Sequence, residues 1–343
     1  MSELANHRAS HGHHPQQSGP VFVASRLGVV VPVLLGLALA ACSSSSPSST
    51  LRASAAASAA ASVAASASAQ PSATVIIAAA TVAFSSERDG NVEIYTVTAD
   101  GTLARLTNDP GKDAHPAWSP DGTQIAFDSE RDGNPEIYVM NADGTGVTRL
   151  TNTPNFEGMP AWSPDGTQIA FVSDVDGNAE IYAMKADGTG AARLTNDSAN
   201  DLAPSWSPDG TKIAFDRDLG GVNFEIFVMN ADGTGATNLT NDPGGDLGPF
   251  WSPDGSTIAF NSDRAGNDDI YLMKPDGTGV TQLTDTTAAD LFPAWSADGS
   301  QITFDRAASG NDEIYVMNAD GTGATRLTDS PGEDTDPAFA PNN

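Results

Sequence analysis

The sequence predicts an all-β fold: a six-bladed β-propeller with four antiparallel strands per blade, closed by its own C-terminal strand. Three observations carry that prediction. Trp118, Trp162, Trp206, Trp251 and Trp295 are spaced 44, 44, 45 and 44 residues apart, and Phe339 falls 44 further on. Asp-Gly turn signals cut each period into four short apolar and β-branched segments. No stretch sustains the 3.6-residue periodicity of a helix. A fixed period of about 44 residues with four strands per unit is the pattern of a propeller blade.

The elements follow from one copy. Each Trp is followed by Ser-Pro-Asp-Gly, as at Ser119 to Gly122, with Ala297 replacing Pro in the fifth copy. Nine residues past each Trp stands a Phe (Phe127, Phe171, Phe215, Phe260, Phe304). Then comes an acidic-Ile-aromatic triplet such as Glu136-Ile137-Tyr138, and the unit closes on Leu-Thr, as at Leu150-Thr151. In the first full copy the strands are expected near Pro116–Ser119, Gln124–Ser129, Glu136–Met140 and Val147–Thr151. Asp-Gly between such runs is a hairpin signal, because Gly supplies the positive φ of a tight turn. Each Trp could be taken for part of a ligand cage, but its fixed register with Phe and Tyr reads as packing between neighbouring sheets.

The ends of the repeat complement each other. The last copy stops at Phe339-Ala340-Pro341, and the first begins at Val82-Ala83-Phe84, one strand later in the unit. The C-terminal strand is therefore expected to complete the first blade, which removes open sheet edges. Val75-Ile76-Ile77 is expected to extend the strand that follows it.

Ahead of the propeller, assigned to residues 75–343, lie two segments of another kind. Residues 1–42 read as an export signal: Arg26, an apolar run from Leu27 to Ala41, then Leu39-Ala40-Ala41-Cys42. Fifteen apolar residues fall short of the ~20 that a membrane span needs. The Leu-Ala-Ala-Cys ending resembles the lipobox of bacterial lipoprotein signal peptides, which makes Cys42 the expected site of lipidation. The alternative is an ordinary cleaved signal with an incidental Cys. The His cluster at His7, His11, His13 and His14 falls in the part expected to be removed and is given no metal role. Residues 43–74, nearly all Ala and Ser, read as a flexible tether; about 30 such residues span on the order of 30 Å.

The chain of 343 residues carries 16 Lys and Arg against 44 Asp and Glu, a net charge of -28. That imbalance excludes a basic footprint for nucleic acid. It also argues against adhesion to anionic lipid other than through the lipid anchor. One Cys excludes a disulfide framework and a Cys-based zinc site. Much of the acidity is the repeat's own turn chemistry, above all the Asp of Pro-Asp-Gly and Ala-Asp-Gly.

With six copies quoted, the segment resembles the TolB-type, WD-like β-propeller repeat family over roughly residues 75 to 343. The resemblance implies a six-bladed propeller and a place in the bacterial envelope. The same family supplies the propeller of prolyl-oligopeptidase-like peptidases. TolB itself has an α/β domain ahead of its propeller. Here the Ala/Ser tether stands in that place, so a different member of the family is expected.

Two series invite functional reading. Three residues before each inner-strand Pro stands an acid: Asp113, Glu157, Asp201, Asp246, Asp290 and Asp334. If these occupy the loops entering the innermost strands, they form a carboxylate ring at the channel mouth, able to hold a cation or a basic peptide end. Alternatively each caps its own turn through backbone N–H groups. Asp174, Asp176, Asn178 and Glu180 resemble part of a calcium loop, although a hairpin turn explains them too. No cofactor is expected beyond that open calcium reading.

Catalysis finds little support. The propeller has no Cys, no Gly-x-Ser-x-Gly elbow and one His, His115, expected in a loop. The sequence therefore predicts no enzyme. It predicts a lipid-anchored, exported, monomeric scaffold on the periplasmic side or outer face of a membrane, binding an envelope protein or peptide. A cation-dependent carbohydrate-acting enzyme or calcium-binding propeller is the alternative, and a structural spacer is a third.

Overall fold

The computed structural model describes residues 81–341 apart from 221–222 and 309. The export signal, Cys42, the tether and Val75-Ile76-Ile77 lie outside the described residues. Among the described residues the chain forms six four-stranded antiparallel sheets. The first blade joins Thr81–Ser86, Glu93–Thr98 and Leu103–Arg105 to the C-terminal strand Asp334–Phe339. Val82 pairs with Phe339 and Ser86 with Asp334, so the ring closes by the last strand completing the first sheet. The other innermost strands are Asp113–Trp118, Glu157–Trp162, Asp201–Trp206, Asp246–Trp251 and Asp290–Trp295. Each packs against the next, and Asp334–Phe339 packs against Asp113–Trp118.

Two boundaries differ from the sequence reading. The innermost strand of the second blade begins at Asp113, three residues ahead of Pro116. Proline ends most strands because it cannot donate to the ladder. Here the ladder steps from Ala114 straight to Ala117, a bulge in which Pro116 has no donor to supply. The outer strand is shorter than expected, only Thr148–Arg149.

The core lies between blades. Six apolar clusters each join two successive sheets, as where Ile226 and Val228 meet Trp251, Phe260 and Tyr271. Every blade pairs the Phe of its second strand with the aromatic of its third, at centroid separations of 5.8–6.0 Å. The Trp residues pack in these inter-sheet clusters, as their register predicts.

The Ser-Pro-Asp-Gly turn is built by its own side chains. Ser119 Oγ donates to Asp121 Oδ1 at 2.7 Å, and the same oxygen accepts from Thr123 N at 3.0 Å. Gly166 needs both its φ of 70° and its missing side chain, since a Cβ there would sit 3.3 Å from Pro120 of the preceding blade. The Asp of every such turn, and of every Ala-Asp-Gly or Pro-Asp-Gly turn after a third strand, is exposed. Hydroxyl and N–H donors of the turn hold these carboxyls below their usual range, so they stay charged.

Candidate functional site

The six acids before the inner-strand prolines are not loop residues. Each opens its innermost strand and is 0–1% exposed. Five are locked to arginines. Asp113 takes Arg131 Nη2 at 3.0 and 2.9 Å, while Arg131 Nε donates to Ser129 Oγ at 2.8 Å. Asp201 binds Arg217, and Asp290 binds Arg306, each through two bonds of 2.6 and 2.7 Å. Asp246 is held by Arg264 and Asp334 by Arg88. Each of these guanidinium groups also lies over the blade's aromatic pair, 4.7–5.4 Å from the ring centroids. This corrects the expected placement. A carboxylate with no contact to water must be paired, and the repeat supplies its partner internally. These acids latch the innermost strand to the second strand of its own blade instead of facing the channel mouth or capping their own turns.

The innermost strands share a second feature at their third residue: His115, Met159, Ala203, Gly248, Phe292 and Asp336. All six have left-handed backbone, with φ between 48° and 60°, which is uncommon outside glycine. Side chains of the preceding blade's second strand hold the bulge in place. Ser85 Oγ accepts from His115 N at 3.2 Å, Asp128 Oδ1 from Met159 N at 3.1 Å and Asp216 Oδ2 from Gly248 N at 3.0 Å. Around the ring the innermost strands divide in two. Those of the third to sixth blades carry apolar side chains: Met159, Phe292, the half-buried Leu202, Leu247 and Leu291, and Phe250, 39% exposed. The first and second blades instead carry Asp336 and His115, with Asp128 against the imidazole and Asp305 buried near Asp336.

His115 is a strand residue, not the loop residue expected. Its Nδ1 lies 2.7 Å from Asp128 Oδ1, and its Nε2 lies 3.9 Å from Asp336 Oδ1. Burial disfavours its charge, but the two carboxylates outweigh burial and raise the imidazole to about 10. At neutral pH it is an imidazolium, which cannot serve as a general base. Asp305 is 1% exposed, and its Oδ1 has no hydrogen-bond partner. Burial and the neighbouring Asp336 and Asp312 carboxylates raise it well above the usual range. Burial likewise lifts Asp216 to about 7, against the Gly248 N–H. His115 thus stands between the Asp128 and Asp336 carboxyl groups, and one imidazolium against two acids suits a further cationic group.

One pH effect follows. A His raised from 6.5 to about 10 adds stability that is fully present below pH ~6.5 and is lost as pH rises through 10. His115→Gln is expected to lower the melting temperature at pH 6 and to match the parent above pH 10. Thermal melts across that range check it.

The calcium candidates form the hairpin between Gln168–Ser173 and Glu180–Lys185. Asp174 Oδ1 accepts from Phe156 N at 2.9 Å. Asp176 takes Tyr182 Oη at 2.5 Å and Arg193 at 3.1 Å. Asn178 turns its amide N–H toward Ala199 O and Glu180 Oε1, and Glu180 pairs with Arg193 at 2.5 Å. Among the described residues no three His, Cys, Asp or Glu side chains are grouped to hold a metal ion.

Three segments, 77–157, 149–224 and 221–290, match the TolB beta propeller domain family. The chain belongs to that family. TolB from Acinetobacter baumannii superposes with a TM-score of 0.68 at 24% identity, over 77% of this chain and 67% of that one. The putative TolB from Agrobacterium tumefaciens gives 0.61 at 23%, over 77% and 100%. Hydrazine synthase from Kuenenia stuttgartiensis gives 0.64 at 16%, over 77% and 47%. At these identities the likeness is one of fold. No curated protein sequence matches the chain.

In this TolB-type propeller the sequence reading missed the channel residues because it looked for what every copy shares. The usable signal was the opposite one. Between the acid and the Pro, the copies read Ala-His, Gly-Met, Leu-Ala, Leu-Gly, Leu-Phe and Thr-Asp. A position that varies among otherwise near-identical repeats is released from building the blade.

Proposed function

We propose that this TolB-type propeller is a non-enzymatic binding scaffold of the bacterial cell envelope, anchored by a lipid on Cys42 and raised on its Ala/Ser tether. Its channel takes a segment of another envelope protein, or a peptide. The divided channel wall carries this reading. An extended segment can lay apolar side chains along Leu202, Leu247 and Phe292 while a basic side chain or amino terminus meets Asp336. Family membership and the export signal support the address on the periplasmic side or outer face, with the propeller as a monomer.

The test is photo-crosslinking in intact cells. A benzophenone side chain replacing Leu247 is expected to yield a discrete adduct, and the same group at the outer-edge Val280, 39% exposed, is expected to yield none. Equal labelling from both positions, or none from Leu247, overturns the channel reading.

A further inference from the structure

The third blade departs from its five siblings at one joint. Its innermost strand opens with Glu157 instead of Asp, and Val175 stands where Arg131 and Arg264 stand in their blades. Ser173 occupies the position from which Arg217 and Arg306 reach their partners, so no arginine of this blade binds Glu157. Across the joint lies Glu136 of the second blade. Glu136 Oε1 accepts from Arg149 Nη2 at 2.5 Å, from Thr153 N at 2.8 Å and from Asn134 Nδ2 at 3.3 Å. Glu157 Oε1 accepts from Thr153 Oγ1 at 2.6 Å and from Ser173 Oγ at 3.0 Å. Thr153 thus bridges the two carboxyl groups. Both residues are buried, 0% and 1% exposed, and the Oε2 of each has no hydrogen-bond partner.

We propose that Glu136 and Glu157 share one proton as a carboxylic acid–carboxylate pair, and that the joint between the second and third blades loosens when this proton leaves. One guanidinium cannot neutralise two buried carboxylates, and two ionised groups in contact cannot persist there. The groups facing the pair are few. Arg149 approaches Glu136 and is itself shared with Asp132 at 3.2 Å. Asp174 is turned to Phe156 N, and Thr153 and Ser173 face Glu157. Burial, opposed by the Thr153 and Ser173 hydroxyls and reinforced by Glu136, raises Glu157 to about 7. On the alkaline side the proton passes to solvent, and repulsion falls on the strand that carries Met159, two residues beyond Glu157. The inference does not depend on what the channel binds.

The sign is set by a folded-state affinity above that of a free Glu. Between pH ~4.5 and 7 the folded chain holds more protons than the unfolded one, so stability falls as pH rises through that window and levels off above it. Asp216 and Asp305 titrate in the same direction, so the difference between variants is the readout. Glu157→Gln donates an N–H to Glu136 without a titrating proton, and Glu157→Asp with Val175→Arg installs the latch of the second blade. Melts from pH 5 to 8.5 are expected to show both variants with a shallower decline than the parent and a higher melting temperature at pH 8. Carbon-13 detection of the Glu carboxyls is expected to show a titration near neutrality that Glu157→Gln abolishes. Identical slopes in parent and Glu157→Gln, or no Glu carboxyl titrating above pH 6, overturn the proposal.

Discussion

Arg306→Ala is expected to lower stability by about 3–5 kcal/mol, because it strands a buried carboxylate. Asp290 is 0% exposed and takes both of its short bonds from this guanidinium. The same group lies 5.1 and 4.8 Å from the Phe304 and Tyr315 centroids, so packing is lost with the charge. In a domain of this size the melting temperature should fall by on the order of 10 °C. Adding Asp290→Asn should restore a large part of the loss, since the stranded charge goes with it. Asp329→Ala makes the contrast: Asp329 also contacts an arginine, Arg326, at 2.7 Å, but is 90% exposed. That surface pair should be worth below about 1 kcal/mol. Denaturant melts of the four proteins decide it, and a loss for Arg306→Ala as small as that for Asp329→Ala would refute the latch.

The second large effect is expected from removing residues 334–343. This takes away the strand that pairs with Thr81–Ser86, the Asp334–Arg88 latch and Phe339. Phe339 packs with Val82 and Phe84 of the first blade and Ile314 and Val316 of the sixth, so its loss opens the core where the ring closes. It also leaves an unpaired sheet edge, which favours aggregation. The truncated chain should show no cooperative melt and should elute as aggregate. A peptide of residues 333–341 added during refolding should recover part of the monomer. Phe339→Ala alone should cost about 3–5 kcal/mol. A truncated chain that melts like the full one would show that closure does not hold the fold.

The ring and its closure were legible because each rests on residues repeated in register: Trp118 and its successors, the Phe nine residues on, the Asp-Gly turns. The latches were half legible. Their acids recur at one position, but their arginines do not. Arg131 follows Ser129 by two residues, whereas Arg217 and Arg306 occupy the position equivalent to Ser129 itself. One guanidinium site is reached from two places in the chain, so no spacing in the sequence reveals the pair. An acid with no visible partner in the sequence reads as solvent-facing. The bulge hid the channel in a similar way. Pro116 looked like the start of a strand, which left His115 outside it, although strand pairing begins three residues earlier.

Acidity that builds blades and acidity that faces the channel make different predictions, and one measurement separates them. Adduct yield from the benzophenone at Leu247 should be compared in two charge-matched variants. Asp336→Asn removes the acid beside His115, while Asp143→Asn removes one exposed turn acid. The account predicts that the first variant lowers the yield roughly tenfold, the factor that about 1.4 kcal/mol of binding represents, and that the second leaves it unchanged. Equal yields from the two variants would contradict it, because binding would then follow overall charge and not the channel wall.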